Sequence, residues 1–174
     1  MSDIAFGFDP SLTHFGFAVA DVDDGCRFLD VGVWVTKPDS DDGSKTSGYA
    51  RRCEFLAAKL FGLERTWGRP ALLACEAVAL PFGRTSMQTI SAMGRVRGLV
   101  DALAASQSLT VVEFQPARLK AFVTGDCQAS KDTVIAAMRH AHPELSPLFA
   151  ELKFADIEHA ADAAAVLHAA LTPR

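Results

Sequence analysis

Three strand-forming runs stand back to back at the start of this chain, and that order excludes most folds. Apolar residues recur with period two at about residues 3–9, 15–21 and 26–36. In the first run Ile4, Phe6 and Phe8 alternate with small residues, the pattern of a half-buried strand. The second and third runs are separated by "DVDDG", a hairpin signal ending in Asp-Gly. The pattern then changes. A polar stretch rich in Gly, Ser and Asp, Lys37 to Gly48, reads as a mobile loop. A helix is predicted from about Tyr49 to Arg65, with Phe55, Leu56, Leu60 and Leu63 on its buried side. "ALLACEAV" is a fourth strand, and "LPFGRTS" is a loop whose Thr85 or Ser86 caps a helix reaching about Ser106. "LTVVEF" is the fifth strand. Short helices near 116–123 and 130–141 follow, and "DIEHAADAAAVLHAAL" ends the chain as a helix. Three meandering strands and then α-β-α-β-α predict an α/β fold with a mixed five-stranded sheet flanked by helices. It forms one domain over residues 1–174.

Composition narrows the setting. At 174 residues and 49% hydrophobic content, the chain can bury a single core and is not a disordered segment. No apolar stretch reaches the roughly 18 residues that span a bilayer, and "MSDIAF" lacks a basic region followed by an apolar block. No membrane association is expected. Cys26, Cys53, Cys75 and Cys127 show no CxxC or zinc spacing, and three of them sit in apolar-patterned segments. Reduced buried thiols in a cytoplasmic protein are the expectation.

The net charge of −4 hides an uneven distribution. Residues 43–139 carry thirteen bases against seven acids, while both flanking segments are acidic. A basic middle can present a phosphate-binding face despite the negative total. Arg and Lys decorating solvent-facing helices would give the same count.

The carboxylates in apolar surroundings carry the chemistry. Asp9 ends a strand that otherwise reads as core and precedes Pro10; ordinary Asp-Pro turn chemistry explains it as well as a site does. Glu76 lies inside "ALLACEAVAL", where a carboxylate is costly to bury unless paired, protonated or bound to a cation. The exposed end of a strand is its other reading. Asp162 is flanked by alanines, and His159 lies three residues earlier, on the same face of a helix; a solvated stripe near a helix start is the alternative. Geometry ties these residues together. With strand order 3-2-1-4-5, Asp9 and Glu76 stand side by side at the carboxyl ends of adjacent strands, where α/β sheets place ligands. The terminal helix can bring His159 and Asp162 to the same spot. Three acids and an imidazole form a hard, oxygen-rich set suited to Mg²⁺ or Mn²⁺ rather than zinc. Two such ions can drive phosphodiester hydrolysis.

The segments "IAFGFDPSLTHFGFAV", "LLACEAVAL" and "EHAADAAAV" together resemble the RuvC Holliday-junction resolvases, especially divergent phage-type members. The resemblance covers nearly the whole chain. It implies a ribonuclease-H-like fold and a Mg²⁺-dependent crossover junction endodeoxyribonuclease acting in DNA recombination and repair. Asp9, Glu76, His159 and Asp162 are then the metal and catalytic residues. In "QPARLKAFVTGDCQASKDTV", Lys120 and Lys131 match family positions that contact DNA near the scissile phosphate, and Lys131 is counted with the catalytic set. The partners implied are branched DNA and a second copy of the chain, because paired nicks in opposing strands call for two-fold symmetry. Met87, Ile90, Met93 and Leu99 on the second predicted helix, "SMQTISAMGRVRGLVDALAA", are interface candidates, with packing on their own sheet as the alternative.

Two departures bear on substrate selectivity. The family usually carries an aromatic a few residues after the catalytic Glu, whereas this chain has Ala79 in the nearer slot and Leu80 and Phe82 further on. Leu80, Phe82 and Arg84 are therefore assigned to DNA contact, with Phe82 as a wedge at the branch point. The polar loop at 37–48 also exceeds the usual connection. Alternatives are a nuclease for other branched or single-stranded DNA, a nuclease-dead DNA-binding module, and an actin-like ATPase or sugar kinase. The last needs two such domains around a nucleotide.

Overall fold

Large and small residues alternate along the first two strands, and this alternation decides how the layers stack. The computed structural model describes residues 3–37, 45–78 and 86–172. Its elements are β1 (Ile4–Asp9), β2 (His14–Asp21), β3 (Arg27–Val35), α1 (Lys45–Trp67), β4 (Leu72–Glu76), α2 (Met87–Ser106), β5 (Val111–Phe114), α3 (Pro116–Thr124), α4 (Lys131–Ala141), α5 (Leu145–Ala150) and α6 (Phe154–Leu171). The sheet has the expected order β3-β2-β1-β4-β5. β2 pairs antiparallel with both β1 and β3, while β1, β4 and β5 run parallel. Asp21 Oδ1 accepts the amides of Asp23 and Asp24, and Gly25 and Cys26 take left-handed φ of 63° and 67°, closing the β2–β3 hairpin.

One sheet face carries Phe6, Phe8, Phe15, Phe17, Val19, Leu73 and Cys75, which pack with Leu56, Leu60, Leu63, Val96, Val100 and Leu103 of α1 and α2. The other face carries Ala5, Ala18, Ala20 and Ala74 and takes the alanine-rich α6, backed by α3, α4 and α5. β1 is consequently buried on both faces rather than half-buried. Its small residues do not face water; they form the seat of α6. A Cβ on Gly7 would lie 2.5 Å from the Ala163 carbonyl oxygen and 2.6 Å from Leu167 Cγ. Glycine at that position sets how deep the helix sits.

Several boundaries move. α1 begins at Lys45, inside the segment read as a loop, because Gly and Ser composition there conceals a helical first turn. Phe55 is 42% exposed, whereas Leu56, Leu60 and Leu63 are buried as expected. Ser86 is the residue that caps α2, accepting the Thr89 amide at 3.1 Å. β4 stops at Glu76, two residues early. α5 was not foreseen; Leu145 and Phe149, four apart, anchor it in the core. All four cysteines are free thiols, but only Cys26 and Cys75 are buried; Cys53 is half-buried and Cys127 exposed. No helix among the described residues is long and apolar enough to cross a membrane.

Candidate active site

Strand register delivers the first two acids. Phe8 of β1 aligns with Cys75 of β4, so Asp9 and Glu76, one residue further on each, close adjacent parallel strands at their carboxyl ends. The third acid comes from α6. Asp9 pairs with Gly16 of β2, and Gly16 lies against the His159 backbone, with the His159 carbonyl carbon 2.7 Å from where a Cβ would be. That close approach brings the first turns of α6 over the strand ends. One carboxylate oxygen each from Asp9, Glu76 and Asp162 then lies within 4.8 Å of the others. Asp9 and Glu76 also line a cavity of about 190 Å³, with Pro10, Ala77, Val78, Met93 and Pro116.

Burial and mutual repulsion work against ionisation here. Burial first, and then the charges of Asp9 and Asp162, push the Glu76 carboxyl up to about 8. Burial and Asp9 push Asp162 up to about 7, against the opposing pull of His159 and Lys131. Three hard oxygen donors this close, two of them reluctant to ionise alone, fit a divalent cation that neutralises them together.

His159 enters differently from the four-ligand expectation. Its Nδ1 donates to Asp9 Oδ2 at 2.7 Å, and that bond is the main cause holding the imidazole above its ordinary pKa. Its donor atoms are not part of the cluster formed by the three acids. The His159 ring stacks on His14, with centroids 5.3 Å apart and planes 6° from parallel. Lys131 does not reach the acids either; its Nζ pairs with Glu158 Oε1 at 2.6 Å. Lys120 Nζ donates to the Ala129 carbonyl at 2.9 Å, and its charge eases the ionisation of Glu76. Leu80, Phe82 and Arg84 lie outside the described residues.

Among the interface candidates, Met87 is 77% exposed and Ile90 half-buried, whereas Met93 lines the acid cavity and Leu99 packs on the sheet's own core. Arg97, one of the bases that a phosphate-binding face could use, is bound instead to Asp101, Glu113 and Cys75 Sγ. Residue patterns alone missed three participants. Glu158 holds Lys131, and His14 supports His159. Arg52 donates to the Leu12 carbonyl and Thr13 Oγ1, both at 3.2 Å, fixing the turn after Asp9. Only His14 carried a signal, as an imidazole opening a strand two residues before the Gly16 that pairs with Asp9.

The family model described as "Crossover junction endodeoxyribonuclease RuvC" matches residues 5–172. A crossover junction endodeoxyribonuclease RuvC from Synechococcus sp. strain CC9605 is 37% identical over 133 residues, 76% of this chain and 79% of the relative. That of strain CC9902 is 34% identical over 167 residues, 95% of this chain and 94% of the relative. Among solved structures, Thermus thermophilus RuvC superposes with a TM-score of 0.69 at 24% identity, covering 97% of this chain and 93% of that one. T. thermophilus RuvC in complex with a Holliday junction substrate gives 0.70 at 22% identity over the same shares. The fold is ribonuclease-H-like, and the chain belongs to the RuvC family of crossover junction endodeoxyribonucleases.

Proposed function

We propose that this protein is a metal-dependent, structure-selective endodeoxyribonuclease that resolves four-way DNA junctions by paired, symmetric nicks. The observation that carries the reading is the meeting of Asp9, Glu76 and Asp162 within 4.8 Å, at the carboxyl end of the sheet, in a chain of the RuvC family. The T. thermophilus RuvC complex with a Holliday junction supports the choice of substrate.

In this reading Asp9, Glu76 and Asp162 hold the cation, Mg²⁺ with Mn²⁺ as a substitute, two ions to a site. Ions so held lower the pKa of water and offset charge on a leaving oxygen. His159, oriented by Asp9 through Nδ1, accepts a proton from the attacking water at Nε2. Lys120 and Lys131 bind phosphates beside the cut strand, and Lys131 must exchange Glu158 for DNA to do so. Leu80, Phe82 and Arg84 engage the branch point. Two copies act as a two-fold dimer, with the exposed Met87 and its neighbour Ile90 in the interface.

Purified protein incubated with a four-way junction, a fork and a linear duplex, with and without Mg²⁺, tests the proposal. Paired nicks in the junction alone, and only with Mg²⁺, are expected. Equal cutting of forks or single strands would replace the resolvase by a broader nuclease, and binding without cutting under any divalent ion would leave a DNA-binding module.

A further inference from the structure

A second cationic site opens at the same end of the sheet as the acids, on the opposite face from Lys120 and Lys131. Where β3 ends and α1 begins, Val35, Thr36, Lys37, Arg51, Arg52 and Phe55 line a cavity of about 230 Å³. Three of the six are cations and none is an acid. Arg52 is preorganised: its Nε donates to Thr36 Oγ1 at 2.7 Å, and one Nη donates to the Leu12 carbonyl and Thr13 Oγ1. A guanidinium held this way loses little side-chain freedom when an oxyanion arrives.

Position gives the cavity its meaning. His14 of β2 aligns with Val35 of β3, and Thr36 donates its amide to the Thr13 carbonyl, so the cavity adjoins the turn that leads out of Asp9. β3 lies two strands from β1, roughly 10 Å at the usual inter-strand spacing. Successive nucleotides rise about 3.4 Å along a duplex strand, so a strand held at Asp9 can reach the cavity within a few nucleotides. α1 packs on one face of the sheet, and α3 and α4, which carry Lys120 and Lys131, on the other. The acids therefore lie between two cationic flanks, and only the flank beyond α6 was legible in the sequence.

We propose that the Lys37–Arg51–Arg52 cavity is a binding site for a backbone phosphate of a DNA arm, flanking the cut on the α1 side. This rests on the junction-nuclease reading and adds to it a second point of contact for the substrate. Each neutralised duplex phosphate releases condensed counterions, and the salt slope of binding counts them. The test is equilibrium binding of a four-way junction across a KCl series, with Ca²⁺ in place of Mg²⁺, for the wild-type full chain, Lys37→Gln/Arg51→Gln and Arg139→Gln. Arg139, on α4, sits over the Phe149 ring, about two helical turns beyond Lys131 and on the opposite face of the sheet from the cavity. The double variant is expected to bind more weakly, with a slope of log K against log salt shallower by about 0.9 for each phosphate lost. Arg139→Gln is expected to keep the wild-type slope. If the double variant loses its melting transition, Lys37→Gln alone carries the measurement. A wild-type slope in the charge-removed variant, or an equal change in Arg139→Gln, overturns the inference while leaving the nuclease reading standing. Failure of the wild type to bind junctions overturns both.

Discussion

Gly16 and His159 meet with no room for a side chain between them. A Cβ on Gly16 would lie 2.7 Å from the His159 carbonyl carbon and 3.2 Å from Asp9 Cβ. One glycine on β2 thus sets both the seat of α6 and the neighbourhood of the first acid. Gly16→Ala must push α6 outward or bend β2, at a cost of about 1–3 kcal/mol for overpacking. Because a displacement near 1 Å can cost about 10²-fold in rate, junction cleavage should fall by that order while the protein still folds. Thermal melting and single-turnover cleavage check the two effects separately.

The ion pair between Lys131 and Glu158 gives a prediction of opposite sign. It holds Glu158 below the ordinary carboxylate range, chiefly through the hydrogen bond from Lys131. Lys131 is 61% exposed, so the pair is partly screened by solvent and worth at most ~1 kcal/mol. Glu158→Gln releases Lys131 to phosphate, and affinity for a four-way junction should rise by up to about fivefold. Fluorescence anisotropy with labelled junction in Ca²⁺ measures it. Weaker binding would mean that Glu158 serves the site by another route.

Glu76 and Asp162 make stability depend on pH and on metal together. Glu76 has an ordinary value of 4.5 and stands at about 8 in the fold, and Asp162 moves from 3.8 to about 7. Between those limits the native chain holds protons that the unfolded chain has released, so stability falls as pH rises. Chelator-treated protein should melt at progressively lower temperature from about pH 6.5 to pH 8, where the buried His142 and His168 no longer gain protons on unfolding. Mg²⁺ should restore more of the melting temperature at pH 8 than at pH 5, and Glu76→Gln should flatten the profile. Melting curves across that range, with EDTA and with Mg²⁺, decide it.

His142 and His168 act at the acid end. His142 Nε2 and His168 Nδ1 lie 2.9 Å apart, and both imidazoles are held below their ordinary value, first by burial. The unfolded chain therefore binds more protons below about pH 6.5, and stability contributed there is lost as pH falls. His168→Gln should soften the acid-side loss of melting temperature and leave the metal-dependent alkaline side unchanged. Phe122 packs edge-on against His168, so a small drop at neutral pH is expected as well.

What could be read from the sequence followed from order and period. Three strands before the first helix force the meander, and a parallel β1–β4 pair sets Asp9 beside Glu76 once the order 3-2-1-4-5 is chosen. The i, i+3 spacing of His159 and Asp162 puts both on the side of α6 facing the strand ends. What stayed hidden depends on contacts between distant segments. Nothing local distinguishes Glu158 from a solvated helix acid, or Arg52 from a surface base, until α4 and the turn after Asp9 are packed beside them. The place of His159 in the motif did not reveal its bond from Nδ1 to Asp9, which depends on how α6 seats over the strand ends. Gly7 reads as one of the small residues of a half-buried strand, and nothing local marks Gly16. Only with α6 in place does their size become the condition for the site.

Single-turnover cleavage of a four-way junction by Asp9→Asn, Glu76→Gln and Asp162→Asn, at saturating Mg²⁺ and with binding measured in parallel, tests most directly whether these three carboxylates form the catalytic centre. Each substitution removes one charged oxygen from a cluster within 4.8 Å while keeping the side chain's size. The expected result is loss of cleavage by about 10²–10³-fold in all three, on the scale of removing an electrostatic group from a transition state, with junction affinity within a few-fold of wild type. Cleavage at near wild-type rate by any one of them would contradict the assignment.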